Sequence, residues 1–139
     1  MRGDMGTSSV RVLLVDDFES FRRFTSLTLQ SRPDVQVICE APDGLQAVEQ
    51  AEKLGPDLIL LDISLPGLNG LEAARQIRKV SPKSKILFLT LQSSADVVRE
   101  ALSLGAQGYV LKAQAQVDLL AAVEAILRGE HFVSSGLIG

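Results

Sequence analysis

The chain has 139 residues, a formal net charge of −3, 46% hydrophobic residues and 4% aromatics, with no Trp. That length is most economically one domain, and the apolar content supports an aliphatic core, which excludes bulk disorder. The acidic balance argues against this chain binding nucleic acid directly by phosphate neutralisation. No apolar run approaches the roughly 20 residues that a membrane helix needs.

Met1 to Ser9 is polar, without a signal-peptide core, and residues 1–9 read as a disordered tail. Val10 to Val15 is apolar apart from Arg11 and reads as a first strand, bounded by Asp16-Asp17. Phe18 to Ser31 reads as a helix, with Phe21, Phe24, Thr25 and Thr28 on one face and Pro33 beyond its end. Val35, Val37 and Cys39 alternate with Gln36, Ile38 and Glu40, a period of two that predicts a strand near a sheet edge. Cys39 is the sole cysteine and reads as a small buried hydrophobe. Its isolation excludes a disulfide framework or a Cys-based zinc site, and together these features predict a cytoplasmic protein.

Asp43 is the expected N-cap of a helix carrying Leu45, Val48 and Ala51, closed by Gly55-Pro56. Leu58 to Leu61 is a continuous apolar run that predicts a strand buried on both faces, ending at Asp62. A loop with Pro66, Gly67 and Gly70 follows. Asn69 is the candidate cap of the next helix, which bears Leu71, Ala74, Ile77 and Arg78. Lys85 to Thr90 is a fourth strand. Ser93 or Ser94 opens a helix with Val97, Val98, Ala101 and Leu102 that ends at Gly105. Gly108 to Lys112 is a short fifth strand. Gln116 to Arg128 is a last helix, with Leu120, Val123 and Leu127 on one side, and Glu130 to Gly139 reads as a tail.

Strict alternation of strands and helices with apolar central strands predicts a parallel α/β sheet covered on both faces. The chain is too short for a closed eightfold barrel, which takes about 250 residues. The length and strand number suit a flavodoxin-like doubly wound (βα)5 fold, five strands in the order 2-1-3-4-5. In that order the carboxyl ends of the strands share one rim, where such folds bind ligands. Strand one delivers Asp16 and Asp17, strand three Asp62, strand four Thr90 and strand five Lys112. Three close carboxylates repel unless a cation neutralises them, and an all-oxygen acidic site suits Mg²⁺. Lys112 can pair with Asp62 or with a phosphoryl oxygen, and Thr90 offers a hydroxyl at the same rim. Asp62 is then placed to act as a carboxylate nucleophile in phosphoryl transfer. Taken singly, Asp17 could cap a helix, Asp62 a loop, and Lys112 could be a solvated surface lysine; the ordered set is what points to chemistry. His131, in a polar stretch after the last helix, reads as solvated.

At these residues the sequence resembles a response-regulator receiver domain, the phosphoacceptor module of bacterial two-component signalling. The resemblance spans about Val10 to Arg128. It rests on Leu-Leu-Val-Asp16-Asp17, on Asp62 followed by Pro66, Gly67 and Gly70, on Thr90, and on Gly105-Ala-Gln-Gly-Tyr109-Val-Leu-Lys112. It implies that Asp62 accepts a phosphoryl group from a phosphohistidine on a sensor histidine kinase. It implies Mg²⁺ held by Asp16 or Asp17, Asp62 and the backbone carbonyl of Ser64, with Lys112 on the phosphoryl group. Thr90 and Tyr109 would be the switch pair. The chain would catalyse its own phosphorylation and dephosphorylation rather than act on a free substrate. A homodimer through the face of the fourth helix, fifth strand and fifth helix, including Leu104 and Tyr109, is also expected.

Two positions depart from the family pattern: Leu91 stands after Thr90 where a small residue is common, and Ala113 after Lys112 where many members have Pro. The ending Gly129-Glu-His-Phe-Val-Ser134 is similar to the stretch that leads into a helix-turn-helix output domain. Residues 10–128 are thus expected to be the receiver and 129–139 the start of a linker to an output domain absent from the sequence. The downstream output would be transcriptional. Three rivals compete. Phosphatases and dehalogenases with an Asp nucleophile want a second Asp two residues on, where this chain has Ser64. A flavodoxin wants a Gly/Ser/Thr-rich phosphate loop where Asp16-Asp17 stands. A degenerate receiver would act as a phosphorylation-independent interaction module, and Leu91 is the feature that favours it.

Overall fold

Near-continuous aliphatic runs leave no wet face, so the strands they form must be covered on both sides. The computed structural model, which describes residues 9–137, assembles them into one sheet. In chain order the elements are β1 (Val10–Val15), α1 (Glu19–Leu29), β2 (Val35–Ala41), α2 (Gly44–Leu54), β3 (Leu58–Leu61) and α3 (Gly70–Val80). They continue as β4 (Lys85–Thr90), α4 (Ala95–Ser103), β5 (Gly108–Leu111), α5 (Ala115–Leu127) and β6 (Phe132–Val133). The strand order is β2-β1-β3-β4-β5-β6, and every pairing is parallel. This is the expected flavodoxin-like order with one strand added, and β2 takes the edge that its mixed pattern asked for. The tail expected at 1–9 lies, except for Ser9, outside the described residues.

Alternate residues of the central strands feed two cores. Leu13, Val15, Ile59, Leu61, Ile86 and Phe88 pack with Ala47, Ala51, Ala73, Ala74, Ile77, Val98 and Ala101 of α2, α3 and α4. Val12, Leu14, Leu58, Leu60, Leu87 and Leu89 pack with Leu29, Leu119, Ala122, Val123 and Ile126 of α1 and α5. The expected caps are in place at two helices: Asp43 Oδ1 accepts from the Gln46 amide at 2.8 Å, and Asn69 Oδ1 from Glu72 at 3.0 Å. Ser94 stands at the N-cap of α4 but makes no side-chain cap bond.

The helix stripes differ from expectation in two places. On α2 the buried residues are Gly44, Ala47 and Ala51, and Leu45 is 60% exposed. Small residues let α2 approach α3 closely, which leaves no room between them for a leucine. On α5 the buried stripe runs through Leu119, Ala122, Val123 and Ile126, with Leu120 and Leu127 flanking it. That helix is apolar almost all round, so periodicity alone does not fix its inward face.

The stretch read as a tail after Glu130 instead docks on the sheet. Phe132 and Val133 pair with Gly108 and Tyr109, covering an edge of β5 that would otherwise present unpaired backbone groups. Ser134 is buried; its hydroxyl donates to Asp118 Oδ2 at 2.8 Å and accepts from the Leu111 amide at 3.2 Å. Tyr109, expected on an exposed surface with Leu104, is fully buried, its ring tilted against Phe88 at 6.0 Å between centroids. Leu104 is half-buried against the same core. The aromatic ring of Tyr109 is worth more inside an aliphatic core than outside it, and its hydroxyl reaches out to the backbone carbonyl of exposed Gln92.

Candidate functional site

Register places the site. Val15 pairs with Leu61, so the next residues, Asp16 and Asp62, leave the sheet side by side. The Asp62 amide still donates to Val15 O at 3.0 Å, which holds the two chains together at their ends. Thr90 pairs with Leu111, so Thr90 and Lys112 emerge on the same rim. One carboxylate oxygen from each of Asp16, Asp17 and Asp62 lies within 4.8 Å of the others. Asp16 and Asp62 are buried, while Asp17 is exposed.

Lys112 enters from the far side as expected. Its Nζ lies 2.8 Å from Asp16 Oδ2 and 3.0 Å from Asp62 Oδ2, a single ammonium bridging two buried carboxylates. The remaining oxygens of that pair take short local bonds: Asp16 Oδ1 accepts from the Phe18 amide at 2.8 Å, and Asp62 Oδ1 from the Ser64 amide at 3.2 Å. These Asx-type turns fix the carboxylates without capping a helix side chain to backbone. Arg22 adds a scaffold contact, donating to Asp16 O at 2.6 Å, but its charge is paired with Glu40 at 2.9 Å. Three carboxylates facing one ammonium therefore leave two negative charges uncompensated among the described residues. The donor set is hard, all oxygen and partly wet, so the cluster could hold a divalent cation.

The charge states follow the burial. Burial raises the Asp16 carboxyl above its usual value, outweighing the hydrogen bonds from Lys112 and the Phe18 amide that pull it down. Burial acts to lower Lys112, but its hydrogen bonds to Asp16 and Asp62 outweigh that and raise it. Tyr109 is pushed up to about 12, mainly by burial and further by the charge of Asp62.

Thr90 is fully buried and its Oγ1 accepts from the Gln92 amide at 3.4 Å. The Tyr109 hydroxyl donates to Gln92 O at 2.7 Å, and Gln92 Nε2 donates to Ser64 Oγ at 2.8 Å. Gln92 thus ties Thr90, Tyr109 and Ser64 together, a role for which the sequence carried no signal beyond its place two residues after Thr90. Gly70 locks the other side of the site. A Cβ there would meet Asp62 O at 2.0 Å and Ile63 Cα at 2.6 Å, so α3 starts directly against the backbone that carries Asp62. An open cleft of about 460 Å³ runs over the carboxylates and is bordered by Phe18, Phe21, Ser64, Leu91, Lys112 and Ala113. Leu91 is 72% exposed and turned largely to solvent, and Ala113 lies in a 3-10 turn (Lys112–Gln114) that leads into α5.

Comparison with known proteins agrees with this geometry. The model of the response regulator receiver domain family matches residues 12–124. The chain belongs to that family. It is 39% identical over 126 residues to the nitrate/nitrite response regulator NarL of Escherichia coli K12, covering 91% of this chain and 58% of NarL. It therefore spans little more than half the length of that relative. Among solved structures, a LuxR-family two-component response regulator from Aurantimonas superposes with a TM-score of 0.88 at 34% identity, covering 94% of both chains. The receiver domain of Salmonella RcsB, solved with a beryllium fluoride phosphomimetic, also reaches 0.88 at 25% identity, covering 94% of this chain and 97% of RcsB's. RcsB has further been solved as two dimers on two parallel DNAs. No helix among the described residues is long and apolar enough to cross a membrane.

Proposed function

We propose that this receiver takes a phosphoryl group on Asp62 from a phosphohistidine of a sensor kinase and passes the signal to a transcriptional output. The observation that carries the reading is the Lys112 ammonium bridging Asp16 and Asp62 inside the three-carboxylate cluster. A carboxylate oxygen of Asp62 attacks phosphorus in line. The phosphorus–nitrogen bond breaks, and its electron pair leaves with the imidazole, which takes up a proton. The product is an acyl phosphate on Asp62, later hydrolysed by water.

Asp16, Asp17, Asp62 and the backbone carbonyl of Ser64 would hold Mg²⁺, which supplies charge neutralisation on the phosphoryl oxygens when bound. Lys112 exchanges its bond to Asp62 for one to a phosphoryl oxygen, which lies within reach of its flexible stem. Thr90 and Tyr109 then act as the switch pair through Gln92, to which both are already bonded. The added negative charge biases this group of contacts, and β4, α4 and β5 move with it. Self-association would use the outer faces of α4 and α5, with β6 rather than Tyr109 between them. Residues 129–139 would lead to the output domain, with Phe132–Val133 of that stretch paired on β5. The phosphorylation-independent alternative is weaker: Leu91 faces solvent, and the cluster of Asp16, Asp17 and Asp62 with Lys112 bridging two of them supports phosphoryl transfer.

Titration with beryllium fluoride in the presence of Mg²⁺, followed calorimetrically, tests the assignment. The unsubstituted chain is expected to bind it and Asp62→Asn to lose binding. Equal binding by both would remove Asp62 from the role.

A further inference from the structure

An ammonium group has three N–H bonds to place. Lys112 directs two of them at Asp16 Oδ2 and Asp62 Oδ2. It also lies over the ring of Phe21, 4.6 Å from the centroid, well inside the distance of about 6 Å at which a cation is drawn to an aromatic face. Phe18 stands farther off at 5.9 Å and is largely exposed, so it contributes less. The Phe21 ring is not free to turn away. It packs on the apolar cluster under α1 and α5 and tilts against Phe24 with 5.3 Å between centroids.

We propose that Phe21 is a positioning residue for phosphoryl transfer, its ring face forming the third wall that keeps the Lys112 ammonium aimed between Asp16 and Asp62. The inference rests on Asp62 being the phosphoacceptor. A lysine head group is compact and strongly hydrated, and its stem is flexible. A third oxygen at this point would hold the ammonium but would compete with an arriving phosphoryl oxygen. An aliphatic wall would exclude water but attract nothing. An aromatic face does both tasks: it attracts the cation and offers no lone pair that must be displaced. Lys112 can then swing from Asp62 Oδ2 to the phosphoryl group without first being stripped of solvent, which is preorganisation of the charge that the transferring group needs.

The test separates the ring's electrostatics from its shape. Phe21 is replaced by mono-, di-, tri- and pentafluorophenylalanine, which withdraw charge from the ring face at nearly constant volume. Phosphorylation by acetyl phosphate with Mg²⁺ is followed by intact mass. The rate is expected to fall stepwise, by about three- to tenfold across the series, as a partly desolvated cation–π contact of ordinary strength requires. Phe21→Leu should fall with the pentafluoro member, and pentafluorophenylalanine at Phe24 should leave the rate unchanged. A flat series on a chain that takes phosphate at Asp62 overturns the role of Phe21 alone. No phosphate on the unsubstituted chain overturns it together with the assignment of Asp62.

Discussion

Gly70→Ala places one methyl group where the site has no space. The new Cβ would stand 2.0 Å from Asp62 O and 2.8 Å from Asp62 C, whereas ordinary contacts begin near 3.4 Å. The carbonyl must therefore retreat by about 1.4 Å, or α3 must tilt by as much, and the bond from the Gly70 amide to Ile63 O at 2.8 Å opposes both. Forcing extra volume into packed backbone costs about 1–3 kcal/mol, which a domain with about 5–15 kcal/mol of stability survives. The expected fall in Tm is roughly 4–12 °C for a chain of this size. The functional loss is larger, because moving a reacting group by 1 Å costs on the order of 10²-fold in rate. The assay pairs thermal unfolding with the rate of phosphorylation by acetyl phosphate. Gly55→Ala is the control: Gly55 has φ +54 with nothing within 4 Å of a built Cβ, so Ala there costs about 1–2 kcal/mol in backbone strain and leaves the rate alone. If Gly70→Ala phosphorylates at the unsubstituted rate, the packing of α3 does not position Asp62 and the reasoning fails.

Three further outcomes are expected. The Asp16 carboxyl is raised above 3.8, so its ionised form is penalised in the fold. The penalty is present at neutral pH and lifts as pH falls through the folded value, so without metal Asp16→Asn should be the more stable chain at pH 7. Urea titrations should show that gap closing toward pH 4, and a gap that widens would contradict the assignment. Ser134→Ala strips the partner from the Leu111 amide and from Asp118, and should cost about 1–3 kcal/mol by denaturant unfolding; a neutral result would mean that β6 is not held by that bond. Tyr109→Phe removes the bond to Gln92 O, at about 1 kcal/mol. It should keep phosphorylation while weakening phosphorylation-dependent self-association in sedimentation, and unchanged self-association would separate Tyr109 from the switch.

The rim was legible because each strand is an apolar run that stops at a polar residue, and the run also fixes where the strand ends. Once the order 2-1-3-4-5 is chosen, Asp16, Asp62, Thr90 and Lys112 have no choice but to share an edge. What stayed hidden depends on contacts rather than runs. Phe132–Val133 is too short to show a period, and it becomes a strand only because β5 offers an open edge. Tyr109 looked like a surface residue because a lone Tyr on a short strand does not reveal its side. Phe21 read as one more residue on an apolar helix face, and only the position of Lys112 gives its ring a second use. Leu45 fitted the helical stripe of α2, but the closeness of α3 turned it outward.

Incubating the chain with Mg²⁺ and acetyl phosphate, trapping the product by borohydride reduction and mapping it by peptide mass distinguishes Asp62 from every other carboxylate. Phosphorylation at Asp62 predicts the mass of one phosphoryl group on the unsubstituted chain, homoserine at position 62 after reduction, and neither in Asp62→Asn. Phosphate retained by Asp62→Asn, or reduction at another carboxylate, would contradict it.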